Sequence, residues 1–119
     1  MNDLPVVDLG QIERLNEWGG ADLQRKMIDL FLTHALERLD EVKDGVATGS
    51  SEKAETGAHT LKSSAGNVGA QRLQKLAQDA ETLAEAGNLH ELQAILPSLE
   101  EEFQAACGAL KGLLEGSDQ

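Results

Sequence analysis

Aromatic side chains are nearly missing from this chain: 119 residues include Phe31, Phe103, Trp18 and no tyrosine. β-Branched residues are sparse as well, while Ala, Leu, Glu, Gln and Lys dominate, so the composition favours an all-α fold. Basic residues are short too, 10 against 21 acidic ones, for a net charge of −11. That balance argues against binding nucleic acid or an anionic membrane through a generally basic face. The single cysteine, Cys107, has no partner for an internal disulfide, which fits a reducing compartment. No apolar run approaches the ~18–20 residues a bilayer requires. The opening residues Met1 to Pro5 lack the basic and then long apolar regions of a secretory signal. A cytoplasmic protein is expected. There is no Gly-rich phosphate loop, so neither ATP binding nor self-phosphorylation is expected, and the chain is not read as an enzyme. His34, His59 and His90 lie 25 and 31 positions apart, a spacing unlike any zinc pattern, and no metal or other cofactor of its own is expected.

What is present is helical periodicity. Asp8 and Gln11 are placed like a capping box ahead of Leu9, Ile12 and Leu15, a short helix that Gly19-Gly20 should end. Asp22 opens a second helix to about Asp44, with Ile28, Phe31, Ala35, Leu39 and Val42 as its buried stripe. A second apolar row, Leu23, Met27 and Leu30, lies about 100° away. The first helix can cover that row, or part of it can stay open for docking. Gly45 to Ser51 reads as a loop, with Ser50 or Ser51 as the next N-cap. A third helix runs to about Asn67, and Gly69 suits a tight turn with positive φ. A fourth, carried by Leu73, Leu76, Ala77, Ala80, Leu83 and Ala84, stops at Gly87. The last helix begins near Asn88 and carries Pro97, which should kink it or split off its first turn. Four long amphipathic helices with short loops imply an up-down-up-down antiparallel four-helix bundle, the short N-terminal helix capping one end. The whole of 1–119 reads as one domain, with an ordered core of about 8–114 and flexible ends at 1–7 and 115–119.

The chemistry concentrates in Ala58-His59-Thr60-Leu61-Lys62-Ser63-Ser64-Ala65-Gly66-Asn67-Val68-Gly69. Ala54, Ala58, Leu61, Ala65 and Val68 form a buried stripe, and Leu61 lies about 200° from His59, so the imidazole points to solvent. Lys62, Ser63 and Gly66 share its face. A neutral imidazole nitrogen is a competent nucleophile near pH 7. Phosphoryl transfer needs positioning and cationic stabilisation more than elaborate covalent machinery. Lys62 is placed to neutralise phosphate oxygens on His59, while Ser63 and Gly66 give a partner clearance. A nucleophilic histidine also needs its second nitrogen held. At equal helical rise beyond the Gly69 turn, Gln78, Glu81 and Thr82 fall across from it.

This stretch resembles the signature of histidine-containing phosphotransfer (HPt) domains, roughly H-x-L-K-G-S/A-x-x-x-x-G. His59, Leu61, Lys62, Ser64 and Gly69 fall on it, and Ser63 stands where glycine is usual. The likeness in layout runs from about Asp8 to Leu114. It implies that Glu81, where such sequences carry Glu or Gln, orients the imidazole, with Gln78 as second candidate. It further implies a phosphorelay intermediate. His59 takes a phosphoryl group from a receiver-domain aspartate, in a pathway fed by a hybrid histidine kinase, and passes it to a response-regulator aspartate. The Mg²⁺ belongs to the receiver. HPt domains are usually monomers and dock receivers through an apolar patch, here expected at Leu15, Leu23 and Met27 beside Ser63 and Gly66. Two alternatives stand beside this reading: a helical adaptor that binds receivers without carrying phosphate, and a phosphoacceptor domain excised from a larger kinase. Met1 and the polar tail favour a complete small protein.

Overall fold

The amphipathic stripes fold into four helices, α1 (Leu9–Thr48), α2 (Ser51–Asn67), α3 (Gln71–Glu85) and α4 (Leu89–Ser117). The structure is a computed structural model that describes residues 4–117. Among those residues there is no strand, and no helix is long and apolar enough to cross a membrane. α1 is two helices in one. Gly19 (φ −150°, ψ 15°) and Gly20 (φ 73°, ψ −171°) break its regular backbone, and the values at Gly20 are open essentially to glycine alone. Residues 9–18 thus form the short arm expected, and residues 21–48 the first long helix of the bundle.

The arm lies across the end where α2 turns into α3. Asp8 N–H donates to Gly69 O at 2.7 Å, and Gln71 Nε2 donates to Asp8 Oδ2 at 3.1 Å. Asp8 also caps α1 by accepting from Gly10 N–H at 2.9 Å. The other half of the expected capping box is not made. Gln11 Nε2 instead donates to Asn67 O at 3.2 Å, one of the carbonyls left over at the C-terminus of α2. Residues 4–7, expected to be flexible, lie against the bundle. Val6 and Val7 pack on the core, and Arg72 Nε donates to Leu4 O at 2.6 Å. α4 continues through 115–117. The remaining ends of that expectation, 1–3 and 118–119, lie outside the described residues.

Two boundaries differ from the periodicity reading. The first long helix runs on to Thr48, so the connection to α2 is only Gly49 (φ 76°) and Ser50, whose Oγ accepts from Lys53 N–H at 3.2 Å. Gly45 reads as a breaker in the sequence but is buried inside the helix. A Cβ there would stand 2.5 Å from the Ala54 nitrogen and 2.8 Å from Ser50 O. Its missing side chain serves close helix–helix approach, as does that of Gly57 against Arg38 O at 2.9 Å. Pro97, expected to kink or split the last helix, lies within the single span Leu89–Ser117. Proline withdraws a donor from the carbonyl four residues back, that of Gln93. Both Gln93 and Pro97 are exposed, so water can serve that carbonyl.

The core explains how the site is held. Ala54, Ala58, Leu61 and Ala65 of α2 and Leu73, Ala77, Ala80 and Ala84 of α3 are all essentially fully buried. Six of these eight are alanines, so α2 and α3 bring their backbones close, and side chains flanking the seam meet across it. On the other side of the bundle Phe31 packs against Phe103 with ring centroids 6.4 Å apart, joining α1 to α4.

Candidate functional site

α2 and α3 are joined by only Val68, Gly69 and Ala70, and Gly69 adopts φ +72°. A three-residue turn makes the helices antiparallel, so residues equally distant from Ala70 stand level. Three pairs obey this register: His59 with Glu81, Lys62 with Gln78, and Gly66 with Gln74. Gly69 is pinned from outside as well, because a Cβ on it would stand 2.8 Å from Asp8 O.

His59 projects from the middle of α2 with 61% of its side chain exposed. Its Nδ1 lies 2.7 Å from Glu81 Oε2. The other carboxylate oxygen, Oε1, accepts from Lys62 Nζ at 2.6 Å. Glu81 is far less exposed than the imidazole, at 13%. Its bond from the Lys62 ammonium holds its carboxyl below the usual carboxylate range; burial opposes this, and the His59 bond adds to it. An ionised carboxylate can only accept, so the proton between His59 and Glu81 sits on Nδ1. In the neutral ring that tautomer puts the free lone pair on Nε2, the nitrogen not bonded to Glu81.

Gln78 does not reach the imidazole. Its Oε1 accepts from Lys62 Nζ at 3.1 Å, so it is a neighbour of the cation and not the second orienter of the ring. The same register that puts Glu81 opposite His59 puts Gln78 opposite Lys62. Ser63 Oγ donates to His59 O at 3.3 Å, bonding back to its own helix. Gly66 faces α3: a Cβ there would meet Gln74 Nε2 at 2.8 Å, so the space it leaves is taken by Gln74 and not held open for a partner. Ser64 turns to the opposite side, into a depression of about 230 Å³ between α1 and α2 shared with Met27, Leu30, Phe31, His34 and Asn67.

The expected docking residues divide. Leu15 is only 4% exposed and belongs to the core beneath the arm, so it cannot present a surface. Leu23 and Met27 are half-buried, and the residue of that row left open is Leu30, at 43%. The row is therefore partly covered at its start and bare at its end. Among the described residues no group of three or more His, Cys, Asp or Glu side chains is placed to hold a metal ion.

The depressed carboxyl has a measurable consequence. A group of this kind stabilises the fold above its unfolded pKa, near 4.3, and loses that contribution as pH falls through the folded value. Wild type should therefore exceed Glu81→Gln in stability by less at about pH 3 than at about pH 5. Urea unfolding at both values measures this. An unchanged difference would mean that Glu81 is not ionised and paired as described.

The family model of the Hpt domain matches residues 26–112, a span that holds the whole His59–Glu81 site. A solved structure, that of histidine-containing phosphotransfer protein B from Pseudomonas aeruginosa PAO1, matches with a TM-score of 0.85. It is 25% identical, over 91% of this chain and 93% of that one. No curated protein matches the chain.

Proposed function

The chain belongs to the Hpt domain family, and from that premise we propose how its own residues carry the phosphoryl group. Domains of this family are phosphocarrier modules that work with receiver domains and kinases, and this chain serves histidine phosphotransfer in a phosphorelay. His59 is the acceptor and Nε2 its nucleophilic atom. The observation that carries this is the bond of Nδ1 to the Glu81 carboxylate, which in the neutral ring selects the tautomer with its lone pair on Nε2. The Nε2 lone pair attacks the phosphorus of a receiver's aspartyl phosphate. A P–N bond forms, the P–O bond to the carboxyl breaks, and the aspartate leaves as carboxylate. Nδ1 keeps its proton throughout, so the ring becomes a phosphorylated imidazolium whose positive charge Glu81 offsets. Transfer onward reverses the same steps.

Lys62 neutralises phosphoryl oxygens one turn from His59. The Mg²⁺ of the reaction resides in the partner receiver, and the domain neither binds ATP nor turns over alone. It acts as a monomer in the cytoplasm, between a hybrid kinase and a response regulator. Incubation with a phosphorylated receiver domain tests the function: label on this chain should be acid-labile and base-stable, and located on the His59 peptide. A chain that binds receivers and takes no label would be an adaptor.

Receivers dock over Met27 and Leu30, beside the depression next to Ser64, with Leu23 at its margin. Leu30→Asp and Met27→Asp should each weaken receiver binding about tenfold, the size of a moderate interface contact. Calorimetric titration with the receiver measures it, and undiminished affinity in both variants removes this face from the interface.

A further inference from the structure

The Lys62 ammonium is already engaged before any phosphate arrives. An ammonium has three protons and no acceptor. One proton goes to Glu81 Oε1 at 2.6 Å and a second to Gln78 Oε1 at 3.1 Å. Both acceptors sit on α3, one helical turn apart. With one acceptor the ammonium could pivot; with two, the direction of its third proton is fixed.

Gln78 can offer its oxygen only if its amide is turned the right way, and Thr82 turns it. Thr82 Oγ1 donates to Gln78 O at 3.0 Å, one turn back on its own helix, which uses the hydroxyl proton. The hydroxyl lone pairs are then open, and Gln78 Nε2 donates to Thr82 Oγ1 at 3.3 Å. With the amide nitrogen held there, the amide oxygen faces Lys62. Every donor in the chain from Thr82 to His59 is thus assigned by the group before it. An ordinary exposed glutamine on a helix face has no such constraint.

We propose that Gln78 is a positioning residue of the phosphotransfer site, oriented by Thr82 so that its amide oxygen keeps the Lys62 ammonium beside the Glu81 carboxylate, one helical turn from His59. It touches neither the imidazole nor the phosphoryl group and acts through Lys62. The benefit is electrostatic. Glu81 orients the ring but places a negative charge beside an incoming dianion, and an ammonium tethered between Glu81 and Gln78 offsets that charge without wandering into solvent. This rests on the phosphotransfer reading of His59 given above.

The test uses the full chain with three substitutions: Gln78→Met, which keeps the length and removes the acceptor, Gln78→Glu, which keeps an acceptor, and Thr82→Val. The first readout is the ¹⁵N-detected ammonium signal of Lys62 in the unphosphorylated protein, which loss of helix packing elsewhere would not move selectively. The second is the rate of label transfer from a phosphorylated receiver at saturating and at limiting receiver. Gln78→Met should speed exchange of the Lys62 ammonium protons with water. It should also lower the saturated transfer rate about fivefold, as for loss of one positioning hydrogen bond, with half-saturation unchanged. Gln78→Glu should restore the ammonium signal, and Thr82→Val should fall between. An unaltered ammonium signal in Gln78→Met overturns the proposal, as does equal behaviour of the Met and Glu variants. Wild-type protein that takes no label overturns the phosphotransfer function itself, and this proposal with it. That failure is told apart because it appears before any substitution at Gln78.

Discussion

His59→Gln should give a folded protein that takes no detectable phosphoryl group from any receiver. The side chain is 61% exposed and outside the core, so its replacement should change stability by no more than about 0.5 kcal/mol. The glutamine amide nitrogen has no free lone pair, because resonance with the carbonyl withdraws it, so the variant lacks a nucleophile at the one place where Lys62 and Glu81 are arranged to serve one. Label transfer followed on a gel, with circular dichroism to confirm the fold, is sufficient. The informative controls are His34→Gln and His90→Gln. Both residues are exposed, and neither has a carboxylate partner among the bonds described. Label that survives in His59→Gln and disappears in either control would move the acceptor away from α2.

Gly45→Ala should be among the most destabilising single-methyl additions in the chain. In an ordinary helix interior the change would help by about 0.5–1 kcal/mol, since alanine loses less entropy on folding. Here the new Cβ would stand 2.5 Å from the Ala54 nitrogen and 2.9 Å from its Cα. These are backbone atoms in the first turn of α2, so no rotamer change can relieve the contact and the helices must part. Overpacking of this kind costs about 1–3 kcal/mol or more, which exceeds the helical gain. A net loss of about 2 kcal/mol should lower Tm by roughly 8 °C in a domain of this size. Gly49→Ala is a different case, because its neighbourhood is empty and the cost there comes from φ +76° alone. A Gly45→Ala protein as stable as wild type would mean that α1 and α2 do not approach as described.

These two glycines show what a single sequence can and cannot reveal. Hydrophobic period gave the stripes of all four helices, and with short connections that is enough for antiparallel topology. The kink at Gly19-Gly20 and the turn at Gly69 were legible because the backbone there needs φ values open to glycine. Gly45 needs no special φ. It is glycine because another helix touches it, and no local pattern reports that. Leu15 is buried for a related reason: an apolar stripe names the residues able to be buried, while the arm's position across the bundle decides which of them are. Gln11 likewise looked like a local cap and instead serves a carbonyl of α2.

At the site, His59 and Lys62 were visible as a face of one helix, and equal rise about the turn put Glu81 among three candidates opposite. The same arithmetic applied to Lys62 leads to Gln78, as does the pairing of Gly66 with Gln74. What could not be read was which acceptor each donor would choose. That depends on the ionisation of Glu81 and on how Thr82 turns the Gln78 amide, and neither has a signature in residue spacing.

Thr82, Gln78, Lys62, Glu81 and His59 all lie within the single α2–α3 hairpin, and no contact in that set spans more than 22 positions of chain. The apolar row Leu23, Met27 and Leu30 lies on α1. Closing a loop of that length costs little entropy, so the reactive constellation can assemble early in folding, ahead of the long-range packing of α1 on α4. The same division leaves evolution two separate texts to edit. Substitutions along α1 can retune which partner is recognised while the hairpin, inherited intact, keeps the chemistry.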